Sequence, residues 1–423
     1  MSRFAQDIYV AAGLRTPFGR GGGALANYDA VSLSVPVVQA MSKQLTGGRP
    51  DLVIWGTVIP NLGWSNLARE IWLDARLDPS VPSLTAILAC ATSITAAFLG
   101  AGMIGGDTDV VMVGGAETMS RPPIGLQPAT VDRFRELMAK DPAEALAALG
   151  KLTPADFVLP VKGWANRITG RTMGDHMEET AQKWGITREA QDQWAYDGHM
   201  RASAAWDSGF FDDLVIPLPE ITKDAIVRPD TTIEKLASLK PAFDKTSGKG
   251  TLTAGNSSPI TDGAAGVWVV SEKGRRQLPD TVASVKLLDH ELAACSFEDG
   301  LLMATPYGIP RLLDRHGLGF EDIALWEIHE AFAAQALANI AALTKPGWIA
   351  EKTGITRDFG RFPMERVNPH GGSVALGHPF AATGARDLSQ TVKVLASMPK
   401  GSKAIVSVCA DGAEGAIALL ENS

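Results

Sequence analysis

The chain has 423 residues, 45% of them hydrophobic and 20% charged, and a formal net charge of −8. This length suits two or three lobes, or one large α/β unit with an insertion, around a substantial core. The acidic balance excludes general nucleic-acid binding, which needs clustered Lys and Arg to displace counterions from phosphates. The sequence has no apolar run long enough to cross a bilayer as a helix.

The first residues run directly into the strand-like DIYVAAG, with no charged region followed by an apolar leader, so a bacterial cytoplasmic setting is expected. DLVIWGTV, DVVMVGG, GVWVVSE and AIVSVCA follow as short β-branched runs between Ala-rich helical stretches, the pattern of a largely parallel, buried sheet. Two segments look related: DVVMVGGAETMS after the helix that follows Cys90, and KAIVSVCADGAEG after the helix that follows His378. In each, a loop delivers a reactive side chain to a helix start, and the next strand ends in a Gly-rich turn. A duplicated βα arrangement, with one copy near each end of the chain, is one reading of this spacing.

Between Ser120 and Gly250 the character changes to Pro-broken, charge-mixed helical segments such as TVDRFRELMAKDPAEALAALGKL, as expected of an insertion over a sheet domain or a ligand. The expected divisions are 1–120 completed by 250–274, an inserted loop domain over 121–249, and a second half over 275–423. Leu146 to Pro160 is apolar enough to touch a membrane or a partner, although an ordinary packed helix and loop explains it equally well.

Three cysteines are too few for a disulfide framework, so each is judged by its surroundings. Cys90 ends an apolar approach and precedes a helix of small residues. There the helix dipole is expected to lower the thiol pKa, so Cys90 reads either as a nucleophile or as a small buried apolar residue. Cys295 has neither a helix start nor a Gly-rich strand end and reads as structural. His329 opens a helix after the strand-like IALWEI, a position that keeps an imidazole neutral and able to hydrogen-bond a ligand oxygen. His370 and His378 share the glycine-rich VNPHGGSVALGHP, but no His or Cys recurs nearby at metal-ligand spacing, so no metal is expected. Those glycines match no phosphate-loop fingerprint either, and they read as letting backbone close on a bulky ligand. Cys409 stands at a strand end before a Gly-rich turn, where parallel sheets place active-site groups.

Together, GLRTPFGR, VGGAETMSR, Cys90 before its helix, NSSPITDGAAG, HEAFA, GGSVALGHP and CADGAEG occur in the order of the thiolase family, which the chain resembles from about Ala11 onward. His in HEAFA, with NSSPITDGA and GHPFAATGAR, is similar to the β-subunit group of the fatty-acid β-oxidation trifunctional complex and its bacterial anaerobic counterpart. The resemblance implies a five-layered αβαβα fold of two duplicated halves with an inserted loop domain. It implies cleavage of 3-ketoacyl-CoA by coenzyme A, a co-substrate rather than a bound cofactor. Cys90 would be the acyl-accepting nucleophile, His378 its base, Cys409 the second acid/base, and His329 the holder of the enolate oxygen. The amides of Cys90 and of Asp411 or Gly412 would form the second oxyanion site; Ser258, Met173 and Phe332 would line the pantetheine pocket. The family often has glycine or alanine where Asp411 stands, and a carboxylate there should raise the energy of a thiolate or oxyanion unless it points away. A homodimer or homotetramer, and a complex with a hydratase/dehydrogenase α-subunit, are further implications. The competing readings are an acetoacetyl-CoA-forming biosynthetic enzyme, a decarboxylating ketoacyl synthase, and a non-catalytic acyl-CoA or lipid carrier on the same fold.

Overall fold

The computed structural model describes residues 3–59, 61, 63–158 and 165–423. Its strands follow the β-branched runs: β1 (Ile8–Ala11), β2 (Leu52–Gly56), β3 (Val110–Glu117), β4 (Thr261–Ser271), β5 (Ser284–Ala294), β6 (Ile323–Ile328), β7 (Lys403–Ala410) and β8 (Glu414–Glu421). β3 and β4 are buried along their whole length, so they read as continuous apolar runs rather than alternating ones. The order across the sheet is β6-β7-β8-β5-β1-β4-β3-β2, with Ser83–Leu84 at the far edge.

That order contains the same unit twice. In β1-β4-β3-β2 the pairings are antiparallel, antiparallel and parallel, and β5-β8-β7-β6 repeats them in the same sequence, so the sheet is mixed and mostly antiparallel rather than largely parallel as its continuous apolar runs suggested; those runs reflect burial on both faces. Three residue pairs between β1 and β5, from Tyr9↔Lys286 to Ala11↔Ser284, join the halves.

Helix α1 (Thr92–Met103) and helix α5 (Thr383–Ala396) lie between the two sheet halves. Ile94, Ala97, Ala385, Leu388 and Val392 share one apolar core with Val111 and Val267 on one side and Ala404 and Val406 on the other. Gly384 permits this approach, because a Cβ there would lie 2.6 Å from the amide nitrogen of Ile94. A second core joins the outer face of the first half to the helices Ala30–Ser42 and Leu67–Asp74. A third joins the second half to Thr305–His316 and α4 (Ala333–Thr344). Helices, sheet, helices, sheet and helices therefore form five layers.

The segment between β3 and β4 carries α2 (Met173–Trp184), α3 (Arg188–Asp207) and the shorter helices Pro128–Lys140 and Pro142–Leu149. Leu146 and Leu149 of the apolar stretch noted above are exposed, while Pro160 lies outside the described residues. Among the described residues, no helix is long and apolar enough to cross a membrane.

Candidate active site

The tight turn before α1 presents Cys90. Ala89 adopts the left-handed region at φ 42°, a conformation that costs a non-glycine residue about 1–2 kcal/mol. Thr92 braces it: its Oγ1 accepts from the Leu88 amide at 2.9 Å and donates to the Ala89 carbonyl at 2.7 Å. On the facing segment, Gly115 leaves room for Ala381, since a Cβ on Gly115 would meet the Ala381 carbonyl oxygen at 2.3 Å. The buried Glu117 carboxylate ties these loops together, accepting from Thr57 Oγ1 and from the amides of Val58, Ile59 and Ala381.

His378 Nε2 lies 3.1 Å from Cys90 Sγ, and its Nδ1 lies 2.6 Å from Thr383 Oγ1. For Cys90 to donate its S–H to Nε2, the ring proton must sit on Nδ1 and be given to Thr383. Burial, with help from Arg386, lowers the His378 pKa to about 3, so the ring is a neutral acceptor at ordinary pH.

Cys90 departs from expectation. The helix start was expected to lower its pKa, yet burial raises it to about 12, with the carboxylates of Asp411 and Glu117 adding to the rise. The amides of Cys90 and Asp411 reach the sulfur and oppose the shift, but they are outweighed. The resting pair is therefore thiol and imidazole rather than thiolate and imidazolium. Of the two candidate amides after Cys409, it is that of Asp411 that lies on the sulfur; Gly412 sits exposed in the turn at φ 95°.

His329 stands beside His378, their ring centroids 4.2 Å apart. Its Nδ1 lies 2.8 Å from Ser373 Oγ, which also accepts from Arg386 Nη2 at 2.7 Å. When Ser373 gives its one proton to His329 Nδ1, the His329 ring proton sits on Nε2. That Nε2 is buried without a partner and is a free donor in the site. Burial, then His378 and Arg386, holds His329 neutral. Arg386 is in turn held by Glu327 at 3.1 Å and Asp387 at 2.6 Å, all of them buried.

Cys409, at the end of β7, is buried in an apolar cluster with Met177, Leu252, Ala331 and Phe332; Met173 packs at its edge. Burial keeps Cys409 a neutral thiol, and Cys90 is near enough to raise its pKa further. Ser258 donates to the Ala331 carbonyl at 2.8 Å, beside this cluster. The donor atoms of Cys90, His329 and His378 lie within 4.8 Å of one another, close enough to share a soft cation; three separate segments supply them, so sequence spacing could not reveal the grouping. His370 lies apart from this group, stacked on Phe210 with ring centroids 3.7 Å apart. Cys295 packs between apolar clusters with its Sγ 3.7 Å from the Gly300 carbonyl.

A cleft of about 330 Å³ is lined by Ser257, Pro259 and Val374, chain neighbours of Ser258 and Ser373, together with Arg20, Arg228, Lys235 and Asp230; Cys90, His329, His378 and Cys409 are not among its lining residues. Sequence reasoning left room for a local basic rim facing an anionic ligand but named none of these residues. Its one signal was the basic scatter in VRPDTTIEKLASLK, which by itself resembles any solvated surface.

Comparison with known proteins agrees with these features. Residues 8–273 match the family model described as thiolase, N-terminal domain, and residues 282–422 match thiolase, C-terminal domain. A 3-ketoacyl-CoA thiolase of Photobacterium profundum is 36% identical over 431 residues, covering 99% of this chain and 98% of its own. The crystal structure of the Bacillus anthracis acetyl-CoA acetyltransferase superposes with a TM-score of 0.80 at 30% identity, covering 99% of each chain. Human mitochondrial 3-ketoacyl-CoA thiolase in complex with CoA gives 0.80 at 27% identity, covering 99% of this chain and 98% of its own.

Proposed function

The chain belongs to the thiolase family, and from that membership we propose that it cleaves 3-ketoacyl-CoA with coenzyme A to acetyl-CoA and a shortened acyl-CoA. The observation that carries this reading is the 3.1 Å pairing of Cys90 Sγ with a neutral His378 Nε2, with a second thiol, the buried Cys409, nearby.

In this reading Cys90 Sγ attacks C3 of the substrate while its proton passes to His378 Nε2. The C3 oxygen gathers charge against the amides of Cys90 and Asp411. Collapse breaks the C2–C3 bond, and its electron pair moves onto C2, leaving an acyl-Cys90 thioester and the enolate of acetyl-CoA. His329 Nε2–H donates to the thioester oxygen of that enolate, and the Cys409 thiol protonates C2. The Cys409 thiolate then takes the proton of an incoming CoA thiol, whose sulfur attacks the acyl-Cys90 carbonyl. The Cys90 sulfur leaves with the proton stored on His378. Catalysis rests on general-base generation of the nucleophile and on preorganised donors at both developing oxyanions.

Arg20, Arg228 and Lys235 at the cleft rim suit the phosphates of CoA; Ser258, Met173, Met177 and Phe332 suit its pantetheine arm and the acyl chain. We assign the halves to 1–120 with 250–274 and to 275–423, with 121–249 as the inserted loop domain. The bacterial relatives favour β-oxidation in the cytoplasm. We also propose assembly as a homodimer or homotetramer, with a hydratase/dehydrogenase subunit as a further partner. Incubating the protein with a 3-ketoacyl-CoA and CoA should yield acetyl-CoA and the acyl-CoA two carbons shorter; absence of both products across chain lengths rejects the activity.

A further inference from the structure

A partly buried hydrogen bond links the inserted segment to the turn between β7 and β8. Asn166 Nδ2 donates to Asp411 Oδ1 at 2.8 Å. The rest of Asn166 organises its own loop: its Oδ1 accepts from the amides of Ile168 and Thr169, its amide donates to the Arg171 carbonyl, and its carbonyl accepts from Gly170. Ala165 pairs with Thr172, so residues 165–172 form a closed hairpin loop with Asn166 at its base. Thr169 Oγ1 then meets His176 Nε2 of α2 at 2.7 Å, which anchors the far side.

On the other partner, Gly412 and Ala413 both take positive φ, at 95° and 60°, and turn the chain sharply after Asp411. The Asp411 amide faces the Cys90 sulfur, while its carboxylate is drawn toward Asn166. The loop thus uses the carboxylate as a tether, although its charge still reaches Cys90 and raises the thiol pKa.

We propose that Asn166 and Asp411 form a latch in which the inserted segment holds the Asp411 side chain and thereby aims the Asp411 amide at the reacting carbonyl. Asp411 and Asn166 act as positioning residues for the oxyanion site, and the inference rests on the reading of Cys90 as acyl acceptor. The latch couples the inserted segment to catalysis, so loss of either side chain loosens the same amide.

The test is a double-mutant cycle of Asn166→Ala and Asp411→Ala, with Asp411→Asn as the conservative variant, read by kcat and by the pH dependence of Cys90 alkylation with iodoacetamide. Each alanine variant should lower kcat about tenfold through misplacement of a donor, with the double variant no worse than either single one. Asp411→Asn keeps an acceptor for Asn166 and should lose clearly less than Asp411→Ala. The charged and titratable groups around Cys90 are Asp411, Glu117, His378, His329 and Cys409. Removing the Asp411 charge should make alkylation faster at a given pH in both Asp411 variants, whereas Asn166→Ala, which keeps and frees the charge, should not accelerate it. Additive losses, or an Asn166→Ala kcat within twofold of the parent, overturn the latch. If the parent protein does not turn over, only the functional reading fails: the latch stands if Asn166→Ala slows alkylation of the parent but leaves an Asp411→Ala protein unchanged, and it falls if Asn166→Ala has the same effect, or none, in both backgrounds.

Discussion

Replacing Thr383 with valine tests how His378 is held ready. Thr383 is fully buried, and its Oγ1 is the partner of His378 Nδ1 at 2.6 Å. Valine keeps the shape but removes the acceptor, so the Nδ1 proton has no partner inside a buried site. The ring can relieve this by moving the proton to Nε2, but Nε2 then faces Cys90 as a donor and cannot take its proton. Either way the productive tautomer is disfavoured by the cost of one unsatisfied buried group, about 1–3 kcal/mol. At 1.36 kcal/mol per decade this slows acylation roughly 5- to 150-fold. Stopped-flow measurement of acyl-enzyme formation from a 3-ketoacyl-CoA, without added CoA, reads that step directly. Thr383→Ser, which keeps the hydroxyl, should stay near the parent rate. A folded Thr383→Val protein that acylates within twofold of the parent, or a serine variant as slow as the valine one, refutes the tautomer argument.

Four further outcomes are expected. His329→Ala removes a preorganised donor and should lower kcat on the order of 10²- to 10³-fold without abolishing turnover, as steady-state kinetics would show. With the Cys90 pKa raised to about 12, its thiolate fraction rises tenfold per pH unit below that value, so iodoacetamide labelling should still accelerate above pH 9 instead of levelling off. His378 loses its base form only as pH falls through about 3, so kcat/KM should show no acid limb near pH 6.5 from this group. Arg228→Ala should raise KM for CoA about fivefold with little change in kcat, the effect of losing one solvent-exposed charge contact worth on the order of 1 kcal/mol.

The side chains that the fold brings together at the candidate site were legible in the sequence because each lies at a local junction that its neighbours announce: Cys90 before a small-residue helix, His329 after a strand, Cys409 before glycines. The duplicated halves were legible for the same reason, since the repeated unit is a run of consecutive elements. What escaped depends on contacts between distant positions. Thr383 and Ser373 are unremarkable in sequence, and each matters only because the fold sets it against a histidine nitrogen. Glu117 lies within a recognised motif, yet its partners lie 60 residues back at Thr57 and 264 residues on at Ala381. The Cys90 pKa went the other way because the dipole argument counted only the helix that follows it. The opposing terms, burial and the charges of Asp411 and Glu117, come from other parts of the chain. Met173 was expected in the pocket from its position, and it does edge the Cys409 cluster, but Met177, one helical turn on, is the methionine buried within it.

The most direct measurement is the intact mass of the protein after incubation with a 3-ketoacyl-CoA in the absence of free CoA, followed by peptide mapping. The expected result is one acyl group, two carbons shorter than the substrate chain, on the peptide carrying Cys90, absent from Cys90→Ala and discharged by added CoA. An unmodified protein, or an adduct on Cys409 with Cys90 free, contradicts the assignment of these two thiols.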